Sequence, residues 1–443
     1  MKLRLPAALL GACMILFANG CSFWELGLND ALRPPKTMGD EAEIEKLISE
    51  SAKGSYILKY PKNGNYRSAI ITQDIDGDNV SEAIAFFRAK EEPARLHMLV
   101  MYESDNGWKI SGDFVTETTD VDCVDFAKVT DSGSLDILVG YTTYSPNVNF
   151  LSCYTYRNGE TTSVSAGQSY SAFYCGNLGS GNRSEVMTLS LYSPDNEAKA
   201  TLLEYNDDKH ALYSKSSVSM DPSVIKYRHV AFGELAGGVR GITVDGAYAD
   251  ETLCTQVIYY NRDLAVLRNP LYREKTPNPT LRTADIFSDD ITNNKRLDIP
   301  TVHKLPFENA NTQSVTADRV TLNNFDAAEE TLVNEQDYAL NTAYNFCVKI
   351  PKTWDPDSYT AQLDGDDMRF YEWKNNSPGE QLFEIRAIDA TKWNQGKDKD
   401  GYTLIYRDNR YAYAMHNYTD SDSQFALTDD EIKTSFSLLT IAG

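Results

Sequence analysis

Between residues 55 and 420, apolar and polar positions alternate in short runs of the kind that form half-buried strands, and Asn, Asp and Gly break the runs. Residues 96–102 lead into the turn Ser104-Asp-Asn-Gly107 and then Trp108-Lys-Ile. Residues 150–156 lead into Arg157-Asn-Gly159, 200–205 into Asn206-Asp-Asp, and 255–260 into Asn261-Arg-Asp. Each pattern predicts a hairpin, because these residue types tolerate the left-handed backbone that tight turns need. Further strands are expected at 314–322, 360–363, 368–373, 382–389 and 403–418. Helical spacing is confined to the two ends. Residues 41–51 carry Ile44, Leu47 and Ile48, and Thr428-Asp-Asp-Glu431 reads as a capping box for a closing helix bearing Ile432, Phe436 and Leu439.

An internal repeat organises the strands. The copies are Asp74-Ile-Asp-Gly-Asp-Asn-Val-Ser-Glu82, Val129-Thr-Asp-Ser-Gly-Ser-Leu-Asp136, Asn177-Leu-Gly-Ser-Gly-Asn-Arg-Ser-Glu185, Gly233-Glu-Leu-Ala-Gly-Gly-Val-Arg-Gly241 and Asp290-Ile-Thr-Asn-Asn-Lys-Arg-Leu-Asp298. Aligned on Glu82, Asp136, Glu185, Gly241 and Asp298, they lie 54, 49, 56 and 57 residues apart. A Gly-rich acidic loop opening a strand, followed by a hairpin, supplies one four-stranded blade per copy. The fold class expected is mainly β: a five-bladed β-propeller, with six or seven blades as alternatives, followed by a small α/β sandwich domain.

At these loops the chain resembles the FG-GAP/VCBS repeats of integrin-like propellers, over roughly residues 55–300. Its layout also resembles a group of Gram-positive lipoproteins of uncharacterised activity, through Arg33-Pro-Pro-Lys36, Leu58-Lys-Tyr-Pro61, Tyr66-Arg-Ser-Ala69 and the loop ending in Ile299-Pro300. From Tyr344-Asn-Phe-Cys-Val-Lys-Ile-Pro351 onward, an aromatic strand and a closing helix resemble the α/β/α sandwich of photosystem II subunit-P-like domains. The division expected is a lipoprotein signal peptide over 1–20, a tether over 21–39, the propeller with its leading helix and connector over 40–335, and the sandwich over 336–443.

The signal peptide is read from Lys2 and Arg4, an apolar run over 5–17, and Ala18-Asn19-Gly20-Cys21. Thirteen apolar residues are too few to span a bilayer as a helix but suit a signal-peptide core. Small residues before a cysteine resemble a lipobox, which implies lipidation at Cys21, although Ala18 stands where that pattern favours Leu. Ordinary secretory cleavage before Cys21 is the plainer alternative. The chain is therefore expected outside the cytoplasm, held to the membrane by lipid alone.

Composition narrows the partners. At 443 residues, with 27 Tyr and 42% hydrophobic residues, the chain can bury a sizeable core. A net charge of −22 repels phosphate backbones, so nucleic acid is not an expected partner, while cations are. Cys123, Cys153, Cys175, Cys254 and Cys347 lie far apart with no C-x-x-C, which favours free thiols, with Cys153–Cys175 as the pair left open.

The strongest chemical signal is Asp74, Asp76, Asp78 and Glu82, with the Val80 carbonyl between them. Acids at positions 1, 3, 5 and 9 and a carbonyl at 7 can surround Ca²⁺, which takes six to eight oxygens. The alternative is a solvated acidic turn. Asp290, Thr292, Asn294 and Asp298 repeat the pattern with fewer charges, for a weaker site. The five His are scattered, and no nucleophile, phosphate-loop or dinucleotide motif occurs. The function expected is a surface binding or scaffold module for an envelope protein or glycan, with a structural calcium loop and no catalysis. A surface hydrolase on a propeller scaffold is the alternative.

Overall fold

Left-handed turn residues fold the chain into meanders. Gly107, Asn158, Gly159, His210, Ala265 and Glu330 all have positive φ, and each lies in a tight connection between neighbouring strands. The computed structural model describes residues 38–439, apart from 119, 131–132, 144–147, 179–181, 308–314, 397–400 and 420–422. The signal peptide, Cys21 and the tether up to residue 37 lie outside the described residues, while 38–39, expected in the tether, open the first helix. Two compact units result: one runs to Asp74 and resumes over Asn79–Asp125, and the other takes Ile75–Asp78 and Phe126–Gly443.

In the first unit, the helix Met38–Ser51 begins three residues earlier than its spacing suggests. It buries Ile44 and Ile48 in a core with Ala83, Phe87, Leu99, Met101 and Trp108. The Glu43 carboxylate accepts the Trp108 backbone N–H at 3.1 Å, which fixes the helix on its sheet. In that sheet Tyr56–Lys59 and Ile70–Gln73 both pair with Glu82–Ala89, which is followed by Leu96–Ser104 and Gly107–Thr116.

Three four-stranded antiparallel sheets come next along the chain. They are Asp120–Ala127, Asp136–Thr142, Asn149–Arg157 and Glu160–Tyr170; then Ala172–Gly176, Glu185–Ser190, Lys199–Asn206 and Ala211–Ser219; then Lys226–Glu234, Arg240–Ala247, Leu253–Asn261 and Val266–Arg268. Each neighbouring pair of sheets shares a core. Leu138 and Leu151 meet Val186 and Leu203, and Met187 and Leu202 meet Ile242 and Ile258. The third of these sheets packs on a neighbour through each face, which explains why Arg240–Ala247 is buried almost throughout and does not alternate. Two glycines let the sheets close up. A Cβ on Gly176 would lie 2.6 Å from the Phe232 ring, and one on Gly233 would lie 2.7 Å from the Leu297 side chain.

The next sheet takes Ile299–Lys304, Asp318–Asp326, Thr331–Asn341, Phe346–Lys349 and Phe436–Leu438. Ile299 and Phe325 pack with Val257 and Tyr259 of the preceding sheet. The long, mostly strand-free path from Arg268 to this sheet is pinned by a buried ion pair. Arg282 and Asp245 are 2.7 Å apart and neither side chain has exposed area.

The C-terminal region departs from expectation in four ways. The strand Thr331–Asn341 runs through the expected 335/336 boundary, so sheet pairing continues across that point. In place of α/β/α layers, two sheets face each other. The second is Val315–Thr316, Tyr359–Asp364, Asp367–Lys374, Ser377–Asp389, Tyr411–Asn417 and Thr403–Arg407, and it shares a core of Phe346, Val348, Trp354, Phe370, Phe383 and Tyr413 with the first. The only helices described there are short, Ala390–Asn394 and Asp429–Ser435. Thr428 and Glu431 form the expected capping box, but the helix stops at Ser435. Residues Phe436–Leu438 extend instead, because Phe346–Val348 offers them an open strand edge. Residues 403–418 likewise form two strands around a turn at Asp408, whose carboxylate accepts the N–H groups of Arg410 and Tyr411.

Candidate functional site

The repeat loops fold alike where the backbone requires it. Asn79, Gly238 and Lys295 stand three residues before Glu82, Gly241 and Asp298, with φ of 72°, 77° and 70°. In the first loop the Asp74 carboxylate accepts the Asn79 N–H at 3.0 Å, and Asp76 accepts that of Asp78 at 3.2 Å. In the fifth, Asp290 accepts the N–H groups of Asn294 and Lys295 at 2.8 and 3.0 Å. An acid at the loop's first position therefore ties the turn together in both copies.

The acid at the strand end has a second task. Asp136, fully buried, accepts the N–H groups of Val129 and Thr130 and the Thr130 hydroxyl at 2.7–2.9 Å. Glu185 accepts the Leu178 N–H at 2.9 Å. Asp298 accepts the N–H and hydroxyl of Thr292 at 2.7 and 2.9 Å. In three copies this carboxylate reaches back six or seven residues and latches its own loop. Its repetition along the sequence thus has a structural cause.

Among the described residues, one group of acids is arranged to hold a cation: Asp74, Asp76 and Asp78, whose ligand oxygens lie within 4.8 Å of one another. Oxygens at 2.3–2.6 Å around one Ca²⁺ are separated by at most about 5 Å, so this spacing fits such an ion. Glu82 stands outside the group, buried at the head of its strand, and Val80 is exposed. In the fifth loop the expected donors serve the loop itself. Thr292 donates to Asp298, the Asn294 side-chain oxygen accepts the Arg296 N–H, and Asn294 Nδ2 donates to Glu335. Asp298 Oδ1 is buried with no partner, and burial pushes this carboxyl up to about 6, against the hydrogen bonds from Thr292.

Among the described residues, none of the five cysteines is in a disulfide, Cys153 and Cys175 included. Burial raises the thiols of Cys153, Cys254 and Cys347, with Cys254 at about 11 and Cys347 at about 12.

Two arrangements had no motif to announce them. On the C-terminal sheet, Asp367 pairs with Arg369 and Arg386, and Glu384 accepts from Tyr402, Tyr418 and Gln381 and forms an ion pair with Arg369. Burial and the neighbouring Glu384 raise the Tyr402 phenol. Both acids are fully engaged, so the cluster knits adjacent strands together. The second arrangement is a cavity of about 340 Å³ beside Asn177, Phe232, Glu234, Arg240 and Lys295. Only its glycines, Gly176 and Gly233, carried a signal, as residues that admit close approach.

No protein-family model matches the chain, and no curated protein sequence matches it. Among solved structures, a Lactobacillus plantarum protein is similar at 10% identity and a TM-score of 0.29, over 74% of this chain and 95% of its own. Saccharomyces cerevisiae Sqt1 is similar at 10% identity and 0.31, over 82% and 98%. The exotype rhamnogalacturonan lyase YesX is similar at 9% identity and 0.25, over 70% and 62%. Scores this low assign the chain no family. No described helix is long and apolar enough to cross a membrane.

Proposed function

We propose that this chain is a lipid-anchored surface protein of FG-GAP/VCBS type. Its sheets are the blades of a propeller that binds an envelope protein or glycan, and Ca²⁺ in the first repeat loop rigidifies it. The observation that carries the reading is the convergence of Asp74, Asp76 and Asp78 within 4.8 Å. Two unit negative charges about 4 Å apart repel by roughly 1 kcal/mol in bulk water and by more near a protein surface. A bound cation removes that repulsion. Glu82, buried at the head of its strand, and the Val80 carbonyl are the further oxygens that the loop offers to such an ion.

Surface modules bind Ca²⁺ at about 10⁻⁴–10⁻³ M, and a hundredfold excess over the dissociation constant stabilises by about 2.7 kcal/mol. Asp76→Ala should lower the melting temperature in calcium and leave it nearly unchanged in chelator. Equal losses in both conditions would reduce the acids to a turn device. A wild type indifferent to calcium would remove the site.

A further inference from the structure

Three successive repeat loops border the cavity of about 340 Å³. Asn177 comes from the third copy, Glu234 and Arg240 from the fourth and Lys295 from the fifth, while Phe232 supplies an aromatic wall. Its volume falls at the lower end of the roughly 300–1,000 Å³ typical of small-molecule sites.

The chain carries a net −22, and several arginines of this unit sit on carboxylates: Arg183 on Asp207, Arg228 on Glu251, Arg268 on Glu330 and Arg282 on Asp245. Among the described residues, neither Arg240 nor Lys295 has a side-chain ion-pair partner. Arg240 Nη1 donates to the Asn177 carbonyl at 3.2 Å, which orients the guanidinium and leaves its remaining donors available. Lys295 is held at φ 70° by its backbone N–H on Asp290, so its side chain leaves from a fixed turn. With Glu234, the formal charges around the cavity sum to +1.

We propose that this cavity binds a small monoanionic ligand through a carboxylate. Arg240 presents a planar fork that matches two carboxylate oxygens, and Lys295 adds a point charge. The Phe232 ring packs against the carbon body, and Glu234 accepts from a hydroxyl or amide N–H beside the carboxylate. A phosphate dianion is disfavoured, because Glu234 opposes the second charge. The carboxylate could belong to a sugar acid or to the end of a peptide, and the two are separable. The site requires neither the lipid anchor nor calcium.

The test is calorimetric titration of the soluble mature chain with glucuronate and N-acetylalanine, against glucose and N-acetylalanine amide as neutral isosteres and inorganic phosphate as the dianion. At least one carboxylate should bind about tenfold or more tightly than its isostere, the size expected for a charge-assisted hydrogen bond. Glucuronate alone identifies a sugar acid, and N-acetylalanine alone a peptide terminus. Arg240→Gln and Lys295→Asn should each weaken binding about tenfold without moving the melting temperature, since both residues are exposed and Asn tolerates the left-handed turn. The proposal is overturned if neither carboxylate binds, if the isosteres bind equally well, if phosphate binds more tightly than both, or if the variants bind like wild type.

Discussion

Replacing Arg282 by Met should be among the most damaging single changes in this protein. Its guanidinium donates to Asp245 at 2.7 Å, to the Thr255 hydroxyl at 3.0 Å, to the Thr280 carbonyl at 3.1 Å and to the Ile286 carbonyl at 2.7 Å. Asp245 in turn accepts the N–H and hydroxyl of Ser288 at 2.7 and 2.8 Å, so the pair clamps 280–288 onto the strand Arg240–Ala247. Methionine preserves much of the volume but leaves a fully buried carboxylate without its counter-charge. Breaking one partner of such a pair costs about 3–5 kcal/mol. Replacing both, as Arg282→Met with Asp245→Leu, removes the stranded charge. The double variant should recover about half of the loss, because Ser288 and Thr255 still forfeit an acceptor at about 1 kcal/mol each. Urea denaturation followed by circular dichroism measures the global effect, and limited proteolysis within 269–289 reports the local one. A single-variant loss below about 1 kcal/mol, or a double variant no more stable than the single, would refute the assignment.

Three further outcomes are expected. Cys21→Ser should move the protein from the membrane fraction into the medium; a mutant that stays on the membrane, or a wild type already released, would end the anchor proposal. Asp298 has a folded-state pKa raised to about 6, so its neutral form favours folding, and its stabilising contribution is lost as pH rises from about 4 through 6. Asp298→Asn should therefore flatten the pH dependence of the melting temperature across that window and stabilise the protein above it, and an unchanged slope would show that Asp298 titrates normally. In a thiol-labelling time course, half-buried Cys123 and Cys175 should react in the native state, while Cys153, Cys254 and Cys347 wait for unfolding; mass spectrometry showing early label on any of the last three would contradict their burial.

What the sequence determined by itself was local. The hairpins at Gly107, Asn158 and Asn261, the leading helix with Ile44 and Ile48, the Thr428 capping box and the recurrence of an acid at four of the five strand heads are all written in neighbouring residues, because turn chemistry and side-chain period act over a few positions. Tertiary structure decided the rest. Whether an acid faces an ion or its own loop depends on where backbone N–H groups point after folding, so Asp298 turns to Thr292 while Asp74, Asp76 and Asp78 converge. Asp245 and Arg282 look like ordinary charged residues until two segments 37 positions apart are buried together. The closing helix gave way to a strand over Phe436–Leu438 because an unpaired edge at Phe346–Val348 outweighed helical spacing. The cavity beside Arg240 and Lys295 exists only because loops more than 50 residues apart in the chain are brought side by side when sheet packs on sheet through Gly176 and Gly233.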